Sequence, residues 1–163
     1  MLTKKSRLLL TLTAATPLLF VAACTDNGIF NPLQDASGTY QLTVYAGKTM
    51  PATFTIQPGD PNFPEAPNGG TLVVTDGTLV LQNNGSFVET NNYVITPSGQ
   101  SGTAHQFVSS GTWTLSGTTF TLSDQSLQRF DTGTLDTDAN GRLTVNYTED
   151  SGNGTFQSYE YKR

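Results

Sequence analysis

Few residues of this 163-residue chain are of a type that does chemistry. His105 is its only histidine. A nucleophile needs a base beside it, and the serines near His105 lie in loop-like or strand-edge sequence without a strained elbow motif. The place of His105 between Ala104 and Gln106, near a strand start, predicts an exposed ring without a catalytic role. Glu89 follows Phe87 on the same face of a two-residue period. An outward or rim position is expected for it. An inward one would need a partner, for which Arg129 is the candidate. Asp136-Thr137-Asp138-Ala139-Asn140-Gly141 matches the first half of a calcium loop, with oxygen ligands on Asp136, Asp138 and Asn140 and a glycine for the sharp turn. The twelfth position is then Tyr147, where a bidentate Glu belongs, and an acidic hairpin turn explains the same residues. Three Asn-x-Ser/Thr triplets, at Asn84, Asn146 and Asn153, read as turn and strand residues. No acid, base and nucleophile stand together, so the expectation is a protein that is not an enzyme and needs no metal or cofactor.

The remaining reactive group is Cys24. As the only cysteine it excludes an internal disulfide and a multi-cysteine metal site. What precedes it differs from the rest of the chain: Lys4, Lys5 and Arg7, then an apolar run from Leu8 to Val21. That run is shorter than the roughly 20 residues of a membrane span and has the layout of a secretory signal. Val21-Ala22-Ala23-Cys24 resembles the lipobox of bacterial lipoproteins. The resemblance implies a signal peptide over 1–23, cleavage before Cys24 and a covalent lipid on its sulfur and amine. Acyl chains hold by about 0.8 kcal/mol per buried CH₂, so two or three of them anchor firmly. Thr25 stands where an Asp marks inner-membrane retention in some bacteria, which leans towards an outer membrane.

All the acidic residues lie beyond Cys24, while three of the eight basic ones precede it. The exported part is therefore more acidic than the whole chain at −5, which disfavours nucleic acid and anionic lipid headgroups as partners. Residues 24–37 read as a lipidated tether rich in turn formers, with Ile29, Phe30 and Leu33 able to pack on the domain. Residues 38–163 suit one domain with a real core.

That domain reads as all β. Tyr40, Leu42 and Val44 alternate with polar residues, as do Leu72 and Val74, Leu79 and Leu81, Trp113 and Leu115, Phe120 and Leu122, and Leu143, Val145 and Tyr147. Asp76-Gly77, Asn84-Gly85, Ser116-Gly117 and Asn140-Gly141 lie between apolar runs, as tight hairpins require. About nine or ten strands result, in an antiparallel up-and-down meander that closure into a barrel would free of edges; a two-sheet sandwich is the alternative. The segment Pro58–Gly70 carries prolines at 58, 61, 64 and 67, a spacing compatible with extended polyproline II. It reads as a surface loop, or as a lid if Phe63 folds over an opening.

The mature chain resembles the small lipocalin-like domains of many bacterial lipoproteins. The resemblance rests on Gly38-Thr39-Tyr40-Gln41-Leu42-Thr43-Val44, Asp76 to Phe87, Gly111 to Phe120, and the tail Tyr159-Glu160-Tyr161-Lys162-Arg163. Gly38-x-Tyr40 stands where lipocalins have Gly-x-Trp. The resemblance implies a barrel of about eight to ten strands whose mouth admits a small apolar molecule, with no catalytic residues. Tyr40, Phe87, Trp113 and Tyr147 are the expected lining. The functional expectation is a membrane-anchored extracytoplasmic protein with such a barrel, and the alternative is a structural or protein-interaction module of the cell envelope without a small ligand.

Overall fold

The computed structural model describes residues 35–150 and 156–163. The signal segment, Cys24 and most of the tether lie outside the described residues. Ten strands follow in chain order: β1 (Gly38–Tyr45), β2 (Lys48–Thr49), β3 (Ala52–Ile56), β4 (Gly70–Leu81), β5 (Ser86–Pro97), β6 (Thr103–Ser116), β7 (Thr119–Asp124), β8 (Arg129–Thr137), β9 (Leu143–Asp150) and β10 (Phe156–Lys162). From β4 to β10 each strand pairs antiparallel with the next, β10 pairs with β1, and β1 pairs with β4. The ring thus closes on eight strands, as the meander pattern predicts. The short β2 and β3 are additional.

The closure is divided along β4. Its C-terminal half, Thr78 to Leu81, pairs with Gly38 to Gln41 of β1. Its N-terminal half, Gly70 to Val74, pairs instead with β3. Where β1 and β4 part, β2 and β3 fill the gap.

Two β-bulges decide which side chains point inward, because one extra residue moves a strand's later residues to the opposite face. In β1 the register shifts between Leu42 and Val44, so Tyr45, not Val44, comes opposite Tyr159 and turns inward. The simple alternation Tyr40, Leu42, Val44 fails at its last member. In β4 the shift lies between Val74 and Asp76. Leu72 and Val74 face the interior before it, and Leu79 and Leu81 after it. Asp76-Gly77 is therefore no hairpin turn but part of one twelve-residue strand. Gly77 is buried, and a Cβ there would stand 2.2 Å from Asn91 Oδ1 and 3.0 Å from Leu42. The glycine serves close packing of β1 against β5. Asn84-Gly85, Ser116-Gly117 and Asn140-Gly141 do turn the chain between strands, each glycine with positive φ.

The proline-rich segment also differs from expectation. Asp60 N–H donates to Gln57 O, Phe63 to Asp60, Ala66 to Phe63 and Gly69 to Ala66. Pro58, Pro61, Pro64 and Pro67 each occupy the second position of one of these turns, where the ring's fixed φ suits it. The three-residue spacing encodes four successive turns, not an extended helix. The loop folds back so that Gly59 N–H reaches Pro67 O at 3.0 Å. Ala66 packs on Ile56 and Ile95, with Phe63 beside them.

One end of the barrel is filled. Tyr40, Leu79, Leu81, Phe87, Trp113, Phe120, Leu122 and Val145 are buried there. Trp113 Nε1 donates to Gln82 O at 2.9 Å, and Tyr40 OH donates to Ala36 O. Asp35 and Ala36 have helical backbone and Ala36 belongs to the core, so the last residues of the expected tether already pack on the barrel. The Arg163 guanidinium lies 5.7 Å from the Tyr40 ring centre and closes this end. No helix among the described residues is long and apolar enough to cross a membrane.

Candidate functional site

Midway along the barrel the apolar filling gives way to a polar network centred on Glu89. This residue is fully buried, which corrects the expected outward or rim position. The two-residue period that carries Phe87 inward carries Glu89 with it, and the interior holds its partners. Oε1 accepts from Tyr147 OH at 2.5 Å, Tyr161 OH at 2.7 Å and Asn91 Nδ2 at 2.9 Å. Oε2 accepts from Arg129 Nη1 at 2.6 Å. Both oxygens are thus satisfied, as a buried carboxylate requires.

Arg129 enters from the start of β8. Its Nε donates to Asp131 and its Nη2 reaches Tyr147 OH at 3.1 Å. Glu149 Oε1 stands 3.8 Å from Nε. Burial disfavours the charged guanidinium, but Tyr147, Glu89, Glu149 and Asp131 outweigh it and hold Arg129 above its ordinary value. Burial pushes the Asp131 carboxyl up to about 6, against the pull of Arg129. Burial, and then the Glu89 charge, raise Tyr147 and Tyr161 well above the usual phenol range, so both hydroxyls act as donors.

The turn before Arg129 is pinned by Asp124. Its Oδ2 accepts from Ser109 Oγ at 2.8 Å and Ser110 N–H at 3.0 Å, and its Oδ1 from Ser126 and Leu127. Burial opposes ionisation of Asp124, but these bonds together hold its carboxyl well below the usual range.

Beyond the network, at the end opposite Arg163, lies a cavity of about 260 Å³. Its apolar wall is Phe63, Leu72, Val74, Tyr93, Ile95 and Phe107. Its polar floor is Asn91, Glu149, Gln157, Tyr45 and Tyr159, and Asn62 and Glu65 of the proline-rich loop stand at the rim. Tyr159 OH donates to Glu149 Oε2 at 2.6 Å, and Tyr45 OH to Gln157 Oε1 at 2.6 Å. Tyr147, Tyr159 and Tyr161 stack in parallel between network and cavity.

The residues expected to line a ligand site are distributed unevenly. Tyr40, Phe87 and Trp113 fill the packed end and do not line this cavity. Tyr147 belongs to the network beneath it. Phe63 lines the cavity. The His105 ring is half-buried and stacks on Tyr93 at 5.3 Å, with Nε2 shielded, in place of the expected exposure. The β-bulge of β1 and the alternation of β9 and β10 supply Tyr45, Glu149, Gln157 and Tyr159. The signal that points to Glu149 is the two-residue period of Leu143, Val145 and Tyr147, which it continues.

The calcium candidates serve their turn. Asp138 Oδ1 accepts from the N–H groups of Asn140 and Arg142, and Asp136 accepts from Thr134 Oγ1. Asp136 and Asn140 point to solvent. Among the described residues no group of three or more His, Cys, Asp or Glu is gathered as a metal site would need.

The fold and site define an antiparallel β-barrel filled at one end, crossed by a buried ionic network and hollow at the other. No family model, curated protein or solved structure matches the chain.

Proposed function

We propose that this is a lipid-anchored extracytoplasmic lipoprotein, held in the cell membrane or outer membrane through Cys24, whose lipocalin-like barrel binds a small and largely apolar molecule. The observation that carries the binding reading is the cavity of about 260 Å³, walled by aromatic and aliphatic side chains above a few convergent polar groups. That combination is characteristic of small-molecule sites in barrel mouths. Binding is favoured over catalysis because both oxygens of Glu89 and the Nε and both Nη atoms of Arg129 are already engaged with one another or with neighbours. The anchor rests on the signal-like start and the lipobox resemblance. The acidic surface argues against nucleic acid as a partner.

The test is thermal unfolding of the full-length protein with a panel of one- and two-ring compounds. A ligand at a hundred times its Kd stabilises by about 2.7 kcal/mol, a shift of several degrees. The expected result is such a shift with at least one compound, abolished by the cavity-filling Val74→Phe. No shift with any compound would overturn the binding reading.

A second reading, a protein-interaction module of the envelope, is favoured by apolar side chains on the outer wall. Phe130 is 69% exposed and Val108 51% exposed. If Phe130→Ser abolishes a cross-link to an envelope protein, this reading gains over the first.

A further inference from the structure

The cavity is lopsided in charge. Glu149 lies in its floor and Glu65 at its rim, and among the described residues no lysine, arginine or histidine lines it. Below the floor, among the described residues, Arg129 is the one cation facing Glu89, Asp131 and Glu149. Glu89 takes its Nη1 and Asp131 its Nε, while Glu149 stands 3.8 Å from Nε, beyond hydrogen-bond distance. The guanidinium is thus shared among more carboxylates than it can neutralise, with Glu149 the least well served. The floor is also rich in acceptors. Glu149 Oε2 receives the single hydroxyl proton of Tyr159 and Gln157 Oε1 that of Tyr45, while the Tyr159 oxygen stands 3.3 Å from Gln157 Oε1 with no second proton to give, so both acceptors retain a lone pair that a donor from the cavity can use. Around them stand the rings of Tyr45, Tyr93, Tyr159, Phe63 and Phe107.

Resting on the binding function proposed above, we infer that the cavity takes a small organic cation, a ring-bearing primary amine, with its ammonium on Glu149 and Gln157. An ammonium offers three donors and no acceptor, which complements this floor. Its charge meets the surplus carboxylate in a partly buried site, where such attraction is stronger than in open water. Its ring lies against the apolar wall, and the tyrosine faces add a cation–π attraction. A carboxylate ligand would instead face Glu149 without a cation of its own.

Calorimetric titration of the full-length protein with phenethylamine, phenethyl alcohol and phenylacetate tests this. Phenethylamine is expected to bind at least tenfold more tightly than the isosteric alcohol, with phenylacetate weakest. Glu149→Gln is expected to reduce phenethylamine binding to about the level of the alcohol, while weakening the alcohol several-fold less, because only the amine loses a charge partner. Phe63→Ala is expected to weaken both. Circular dichroism checks that each variant retains the barrel. If the alcohol or phenylacetate binds as tightly as the amine, or if Glu149→Gln leaves amine binding intact, the cation inference falls while the cavity remains a ligand site. If none of the three binds, the cation inference falls, and failure of the wider ring-compound panel would then remove the binding function as well.

Discussion

Glu89 and Arg129, forty residues apart in sequence, form an ion pair at 2.6 Å inside the barrel, with Glu89 fully buried and Arg129 nearly so. Two charges taken out of water need each other and their remaining hydrogen bonds. Removing one leaves the other uncompensated, at a cost of about 3–5 kcal/mol. Glu89→Gln and Arg129→Met are each expected to destabilise by that order in urea unfolding. Glu89→Leu combined with Arg129→Met should cost less than the sum of the two singles, since neither member of the pair is then left facing a missing partner, while the loss of the Arg129 bond to Asp131 remains. A double variant as unstable as the sum of the singles would show that the two side chains do not act as a pair.

Asp131 makes the stability dependent on pH in an unusual direction. Its carboxyl is raised to about 6 in the fold, mainly by burial, from an ordinary value of 3.8. The folded state therefore binds the proton more tightly than the unfolded chain. The associated stability is fully present below about pH 4 and is lost as pH rises through about 6. Relative to the parent, Asp131→Asn is expected to gain stability at pH 7.5 compared with pH 4.5. Unfolding midpoints in urea at the two pH values measure it, and an unchanged difference would contradict it.

Asp124 has the opposite sign. Burial opposes its ionisation, but its hydrogen bonds from Ser126, Ser109, Ser110 and Leu127 hold its carboxyl below the usual range. Its contribution is present above the unfolded value near 4 and is lost as pH falls through the folded one. Asp124→Asn is expected to be destabilising at pH 7 and progressively less so below pH 4. Parallel acid-unfolding curves for the two proteins would count against this.

Gly77 has no room for a side chain. A methyl group would stand 2.2 Å from Asn91 Oδ1. Gly77→Ala is expected to cost about 1–3 kcal/mol through overpacking. Because Asn91 both donates to Glu89 and lines the cavity, the variant should also weaken binding of any cavity ligand. A variant with the parent's stability would mean that Asn91 moves aside freely.

On the lipoprotein reading proposed above, Cys24→Ser is expected to leave an uncleaved precursor without lipid, because the diacylglyceryl group would be transferred to a sulfur and the peptidase would act on the modified residue. The barrel strands begin at Gly38, so circular dichroism should stay β-rich. Mass spectrometry of the parent should show an acylated N-terminal cysteine. An unmodified Cys24 would remove the lipoprotein reading.

Strand count, antiparallel order and most turns were legible because they follow from period-two patterning and glycine turn chemistry. The change of phase between Leu72-Val74 and Leu79-Leu81 was legible too, but a hairpin and a bulge produce the same pattern. Which of the two occurs depends on long-range pairing with β5. The same holds for Thr43, whose extra place in β1 brings Tyr45 rather than Val44 inward. Prolines three residues apart suit both an extended helix and a series of turns, and the apolar contacts of Ala66 and Phe63 favour the turns. Glu89 read as a surface residue because, beyond its neighbour Asn91, its partners come from β8, β9 and β10, and no local window contains those three.

The direction of β1 also fixes an orientation. Gly38 opens the strand at the packed end, against Leu81, and Tyr45 ends it at the cavity. A chain fastened upstream of Gly38 holds the barrel by its solid end. Under the anchor proposed at Cys24, the hollow end would lie on the side away from the point of attachment, like an upturned cup. A ligand would then arrive from the aqueous compartment, not from the lipid.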